Sequence, residues 1–360
     1  MNEKKIKVLH IFFSHEHNGE YEIIRRLEMN MKNTEFYYLS PVKIYDFPNA
    51  FNLNIKMKSF KSKIIYNYRV YSFLKKHKYD IVHINGGKFF RSFSCALICR
   101  LLKIKKIVVH SHSCPNLKKR KKALMKILNP LYRKITNVHL TCSISAAKAL
   151  FTKLNDVIII KNGLTINNYR YNENIRNEYR KKLAIENKIV YGHVARFSKT
   201  KNQDFTIDVF NKIQNHQDAL LLLIGIGKTE ESIKKKVKEL NIENKVLFLG
   251  FRTDVDKLLN SMDFFILPSI NEGLGNVVIE SLTSGLPTFV SNGIPEEANV
   301  SRNFHRINSF DASEWAKEIL NTKPGDRVNA YKDIIKAGFD IKDSARELEQ
   351  IYKNLMEQEI

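Results

Sequence analysis

The sequence predicts an α/β protein made of two doubly wound, parallel-sheet domains. Three observations carry this. Short unbroken apolar runs recur along the chain, each bounded by glycine or polar residues, as expected of strands buried in a parallel sheet. Amphipathic helical patterns alternate with those runs. Finally, 360 residues is enough chain for two domains of ordinary size, and a 43% hydrophobic content suits a globular core.

Ile6 to Phe13 is the first apolar run, followed by the turn His15–Gly19 and a helical pattern through Ile23, Ile24, Leu27 and Met29. Strand, turn and helix in that order open a doubly wound domain, whose ligands bind at the carboxyl ends of its strands. Asp80 to Gly87 is a second run ending in glycines, and Lys106 to Ser113 a third that runs into polar residues. Alternation along the third places His110 and His112 on one face at its end. Val157–Ile160 closes the series, and the domains are placed at 1–167 and 168–360.

The second domain opens with a charged helix at 173–184 and the strand Ile189 to Arg196. Strands at Leu220–Ile224, Val246–Leu249 and Phe264–Leu267 follow, with a helix at 229–240 between the first two. Helical patterns at 311–320, 326–337 and 342–358 finish the chain. Gly225-Ile226-Gly227 follows a strand and precedes a helix, but no third glycine completes a dinucleotide fingerprint. Asp254-Val255-Asp256 imitates a metal-binding Asp-x-Asp; its place at a helix start favours capping and dipole complementarity, and no metal is assigned.

Charge is unevenly distributed. Residues 1–165 hold 32 Lys/Arg against 9 Asp/Glu, which accounts for the whole net charge of +23, and residues 101–150 hold 12 Lys/Arg and no acid. Such asymmetry suggests that one half meets a polyanion or an anionic membrane. Within it, Leu117–Ile135 places Leu124, Ile127, Leu128, Leu131 and Tyr132 at helical spacing among Lys118–Lys122, Lys126, Arg133 and Lys134. Two readings stand: a helix lying on an anionic membrane, or a solvated helix packed on its own domain. A nucleic-acid-binding protein is the alternative from another class, but no helix-turn-helix, zinc-finger or RNP pattern is present. No apolar run is long enough to span a bilayer, and no signal-peptide pattern opens the chain. Cys95, Cys99, Cys114 and Cys142 lack metal-site spacing, so reduced thiols in a cytoplasmic protein are expected.

The most informative stretch is Pro268-Ser269-Ile270-Asn271-Glu272-Gly273-Leu274-Gly275-Asn276, running on to Glu280. A strand, a glycine-rich turn and a helix start leave backbone N–H groups free to bind an anion. Glu272 and Glu280 stand on either side of that point as hydroxyl acceptors. A phosphate with hydroxyls on both sides describes a nucleotide-sugar. The alternative is an ordinary strand-to-helix turn with a solvated Glu280.

This Pro-Ser-x-x-Glu-Gly-x-Gly-x4-Glu pattern, followed by Ser284-Gly285-Leu286-Pro287, resembles the donor-site signature of retaining family 4 glycosyltransferases with the GT-B fold. The resemblance is greatest to those that build bacterial capsular or exopolysaccharide, and extends over most of the chain. It implies two Rossmann-like domains facing across a cleft, with the last helix crossing back to the N-terminal one. It also implies an N-terminal acceptor domain and a C-terminal nucleotide-sugar domain, UDP being the favoured nucleotide.

By resemblance, Arg196 and Lys201 hold the diphosphate, Glu272 orients the donor sugar and Glu280 takes the ribose. Gly227 lines the nucleotide cleft, and the turn at Phe251 and Arg252 reads the base. Gly273, Leu274, Gly275 and Asn276 form the donor loop. His112 is the strand-end histidine near the scissile bond, with His110 as the alternate on the acceptor side. Related enzymes carry Gly-Gly in the first turn; here Gly19 alone marks it. The implied chemistry is metal-independent, cofactor-free and substrate-assisted, on a lipid-linked or glycan acceptor at the inner membrane face. A GT-B nucleotide-sugar epimerase is the nearer alternative.

Overall fold

The computed structural model describes residues 5–13, 19–43, 47–56, 59–86, 88–112, 119–323 and 325–358. The chain divides into two compact units, one formed by Met1–Leu164 with Ile341–Ile360 and the other by Thr165–Asp340.

The first unit is a seven-stranded sheet with order β3-β2-β1-β4-β5-β6-β7. Its strands are β1 (Ile6–Ile11), β2 (Thr34–Ser40), β3 (Ala50–Asn52), β4 (Ile81–Asn85), β5 (Ile107–Ser111), β6 (Val138–Thr141) and β7 (Val157–Ile159). Every neighbouring pair is parallel. Alternation sends Leu9, Ile11, Val82, Ile84, Ile107 and Val109 to one face, under the helices Phe60–Lys76, Phe89–Leu101 and Lys119–Lys134. Val8, Phe12, Ile81 and Val108 go to the other, under the helices Gly19–Glu28 and Ile341–Glu357.

That last helix returns to the first unit, as the resemblance implied. Ile341, Ala345, Leu348, Tyr352 and Leu355 are buried at steps of four and three, a continuous stripe that faces the sheet. The outgoing and returning chain segments meet at Gly163, where an added Cβ would lie 2.6 Å from the Ile341 Cα. Ile341 N–H donates to the Leu164 carbonyl at 3.1 Å alongside.

The second unit is a six-stranded parallel sheet, order β10-β9-β8-β11-β12-β13. Its strands are β8 (Ile189–Val194), β9 (Ala219–Ile224), β10 (Val246–Gly250), β11 (Phe264–Leu267), β12 (Thr288–Ser291) and β13 (Phe304–Ile307). In both sheets the chain winds outward, then returns to start the other half beside its first strand. The order therefore reverses between β1 and β4 in one unit and between β8 and β11 in the other. Open α/β sheets bind ligands at the carboxyl ends of such strand pairs.

Two details depart from sequence expectation. Met29 lies past the end of its helix and is 76% exposed, so it does not continue the buried stripe. The apolar residues of the basic helix split between two faces. Met125, Asn129 and Tyr132 are buried, whereas Leu124, Ile127 and Leu131 stand out at 46%, 74% and 46% exposure. Leu117 and Lys118 lie outside the described residues, as do Cys114 and most of the turn before Gly19. No helix among the described residues is long and apolar enough to cross a membrane.

Candidate functional site

In the second unit, Arg196 and Lys201 follow β8, and the stretch from Pro268 to Asn276 follows β11. Both segments thus emerge at the strand-order reversal. They are joined by backbone and side chains alike. Ile270 N–H donates to the Thr200 carbonyl at 2.8 Å, and Asn202 Nδ2 donates to the Pro268 carbonyl at 3.3 Å. Lys201 Nζ forms an ion pair with Glu272 Oε1, both side chains being largely buried.

The loop after β8 is shaped from within. Asn202 sits in the left-handed region at φ 57°, which Asn tolerates better than most residues. Gln203, 1% exposed, donates from Nε2 to the Arg196 carbonyl at 3.0 Å and accepts from Ser198 N–H at 3.4 Å. Sequence reasoning passed over both residues. Their polar character in the stretch that carries Arg196 and Lys201 was the available signal.

Gly227 and Gly225 let the next loop press on this one. Phe197 N–H donates to the Ile226 carbonyl, and a Cβ on Gly227 would come 2.2 Å from the Phe197 carbonyl oxygen. At Gly225, φ +132°, an added Cβ would come 2.1 Å from the Ala195 carbonyl oxygen, and its N–H donates to the Gly250 carbonyl at 2.8 Å. The Gly227 loop, the Arg196 strand end and the Gly250-Phe251 turn are therefore neighbours. Phe251 is 64% exposed.

Beyond Glu272, Leu274 is buried and Gly275 takes φ 81°, immediately before the helix Asn276–Thr283. Gly273 and Asn276 flank that turn. Glu280 lies in this helix and is buried to 9% exposure. Glu272 N–H donates to the Gly293 carbonyl at 2.9 Å, and Gly293 has no room for a side chain against the Ser269 carbonyl. Gly293 was not singled out from sequence, although a glycine just past a strand is a recurrent sign of close backbone approach.

The sequence reading of Asp254 needs correction. Asp254 precedes the helix Val255–Ser261 but its side chain caps nothing. Its carboxylate is held by Arg252 through Nε at 2.8 Å and Nη2 at 2.5 Å, and accepts from Tyr179 Oη at 2.8 Å. A bidentate guanidinium beside it holds this carboxyl well below the usual range. The Arg252 side chain is correspondingly committed to Asp254. No cluster of three or more metal-ligating side chains occurs among the described residues.

In the first unit, Gly19 opens the helix Gly19–Glu28 just after β1. Beside it Glu20, to which the sequence assigned no role, has its carboxyl pushed up to about 7 by desolvation, with Lys88 pulling the other way. His110, next to last in β5, is fully buried, and His112 follows just past the strand with ring centroids 3.9 Å apart, on the shared face that alternation predicts. His10 on β1 and His83 on β4 continue the row, at 4.5 Å from each other, and His83 lies 5.4 Å from His110. Desolvation lowers His10 and His112 to about 3, while Asn162 favours the charged form of His112; His83 and His110 are also lowered well below the ordinary value.

Residues 175–340 match the family model described as glycosyl transferases group 1. They form a group 1 glycosyltransferase domain. The chain is a glycosyltransferase with the two Rossmann-like units of the GT-B fold. It is 24% identical over 370 residues to a capsular polysaccharide biosynthesis glycosyltransferase, CapH, of Staphylococcus aureus, spanning 96% of this chain and 98% of that one. It is 27% identical over 235 residues to a UDP-Gal:alpha-D-GlcNAc-diphosphoundecaprenol alpha-1,3-galactosyltransferase of Escherichia coli, spanning 62% and 60%. The fold matches that of Anabaena Alr3699/HepE in complex with UDP-glucose, with a TM-score of 0.79 at 18% identity, over 97% of this chain and all of that one.

Proposed function

We propose that this glycosyltransferase moves a sugar, with retention of configuration, from a UDP-sugar to a lipid-linked or glycan acceptor during surface polysaccharide synthesis. The observation that carries the reading is the joining of the two loops at the β8/β11 reversal. It gathers two cations, a helix start and two carboxylates at one sheet edge. A nucleoside diphosphate needs the first two; sugar and ribose hydroxyls need the last. The names of the Escherichia coli and Staphylococcus aureus relatives support the substrate classes, and the UDP-glucose complex of the Anabaena protein supports the nucleotide.

In this reading Arg196, Lys201 and the N–H groups at Gly275–Asn276 stabilise the charge that builds on the departing diphosphate, which itself helps deprotonate the acceptor hydroxyl. Glu272 orients the donor sugar, Glu280 accepts from the ribose hydroxyls, and His112 is assigned to the reacting sugar. Gly227 and the Phe251 turn border the nucleotide; Gly19 and His110 belong to the acceptor side. No metal or cofactor takes part. Exposed Leu124, Ile127 and Leu131 among the lysines of Lys119–Lys134 suit peripheral attachment to an anionic inner membrane face, where a lipid-linked acceptor resides.

The test is thermal stabilisation by UDP, GDP and ADP and their sugars, because a ligand of the native state raises stability by mass action. Turnover follows with the stabilising donor, with and without EDTA, and the anomeric configuration of the product is read by NMR. UDP-sugar stabilisation and an axial-for-axial product support the proposal. Indifference to every nucleotide removes the donor reading, inversion removes retention, and loss of activity in EDTA restored by Mn²⁺ removes metal independence.

A further inference from the structure

Three histidines of the row in the first unit, His10, His83 and His112, are connected through Asn85 and Tyr352, while His110 makes no side-chain hydrogen bond among the described residues. Asn85, at the carboxyl end of β4, is fully buried. Its side-chain nitrogen lies 3.4 Å from the His83 carbonyl oxygen, an atom that can only accept. The amide is thereby oriented with Nδ2 toward His83 and Oδ1 toward His112. The same Nδ2 lies 3.1 Å from His10 Nδ1, so that nitrogen accepts and His10 carries its proton on Nε2. His10 Nε2 in turn faces Tyr352 Oη at 3.5 Å, and the Tyr352 hydroxyl is left to donate to His83 Nδ1 at 2.6 Å. At the other end Asn85 Oδ1, which can only accept, lies 3.4 Å from His112 Nε2.

We propose that Asn85 is a positioning residue which holds His112 as the Nε2–H tautomer and leaves its Nδ1 as an acceptor for a hydroxyl of the sugar substrate. This rests on the assignment of His112 to the reacting sugar. The Nδ1 atom is buried and closes no hydrogen bond within normal geometry among the described residues, although the Asn162 side chain lies near enough to the ring to favour its charged form; a ligand hydroxyl is the group assigned to complete it. In this state His112 takes a hydrogen bond from the substrate and does not act as a proton donor to the phosphate. The backbone amide network of β4, through the His83 carbonyl, is what decides the tautomer. Tyr352, on the returning helix, closes the chain at its far end and holds His10 and His83.

The readout is long-range ¹H–¹⁵N correlation on the full-length protein labelled at histidine, which distinguishes Nδ1–H from Nε2–H directly. Wild type should show His112 as Nε2–H. Asn85→Ala should abolish that single tautomer and lower kcat about tenfold, the scale of one lost neutral hydrogen bond, with KM for the donor nearly unchanged. Tyr352→Phe and Asn162→Ala should both leave the His112 tautomer in place, because Asn85 remains anchored to the His83 carbonyl. His112 observed as Nδ1–H in wild type overturns the proposal, even if Asn85→Ala fails to fold. So does an unchanged tautomer in a folded Asn85→Ala variant, or a tautomer that follows Asn162 instead. A fully active His112→Ala with the predicted tautomer intact would remove the role of His112 in the reaction and leave Asn85's hold on the ring standing.

Discussion

Lys201 and Glu272 form an ion pair although 71 residues separate them. The loops that carry them leave adjacent parallel strands, β8 and β11, and are cross-bonded through Thr200 with Ile270 and Asn202 with Pro268. Each member therefore holds the other's head group in place at the strand-order reversal.

Lys201→Ala and Arg196→Ala should each lower kcat strongly. A charge-assisted contact to diphosphate is worth about 1.5–3 kcal/mol, or roughly ten- to a hundredfold. Glu272→Gln removes the partner of Lys201 as well as the sugar contact, so it should lower turnover while free UDP binding changes little. Glu280→Gln should weaken UDP itself. Titration calorimetry with UDP and with the intact donor separates these; equal loss of UDP affinity in both variants contradicts the division of roles.

Gly227→Ala should destabilise the second unit and reduce donor affinity together. The new methyl would sit 2.2 Å from the Phe197 carbonyl oxygen, so the loop must retreat from the Arg196 strand end. Overpacking of this kind costs about 1–3 kcal/mol. Urea denaturation and UDP titration of the same variant check it, and a fully stable Gly227→Ala would show that the contact is readily relieved.

Stability should fall on mild acidification. His10, His83 and His110 are fully buried and have folded-state pKa values lowered by desolvation, so below pH 6.5 the unfolded chain takes up protons that the folded chain refuses. Their contribution is complete above the unfolded value and is lost as pH falls toward the folded ones. Each adds a slope of about 1.4 kcal/mol per pH unit in that window. Glu20, raised to about 7, opposes them with the slope of a single group. A net loss of stability between pH 7 and 5 is expected in chemical denaturation, because the buried histidines outnumber Glu20. Substituting His83 or His110 by Gln should flatten the curve.

The basic helix Lys119–Lys134 should bind anionic vesicles and release them as salt rises, since exposed charges are screened beyond about 10 Å at 0.1 M ionic strength. Changing Lys119, Arg120, Lys121 and Lys122 to Gln should remove most of this binding, at about 1 kcal/mol per cation. Changing the outward Ile127 to Ser should weaken binding to the same vesicles without affecting stability. Co-sedimentation that ignores both lipid charge and these substitutions would leave the helix as a solvated surface.

The elements legible in the sequence are those with a strong local period. Strands such as Phe264–Leu267 and the helix Ile341–Glu357 stand where their apolar runs and stripes place them. The helices Phe60–Lys76 and Phe89–Leu101 were not legible. In the first, Phe60, Ile64 and Tyr68 lie exposed opposite the buried Tyr66, Val70 and Leu74, so apolar residues on both faces erase the stripe. The second is flanked by neighbouring helices and is apolar on most sides. At the candidate site, the residue types and their positions after strands were readable one segment at a time. Which segments meet was not. The ion pair of Lys201 with Glu272 and the row from His112 through Asn85 to Tyr352 depend on strand order and on a helix returning from the far end of the chain. A periodic pattern records only whether a residue faces inward. Its partner is chosen by packing between segments distant in sequence, and that is settled when the sheets assemble.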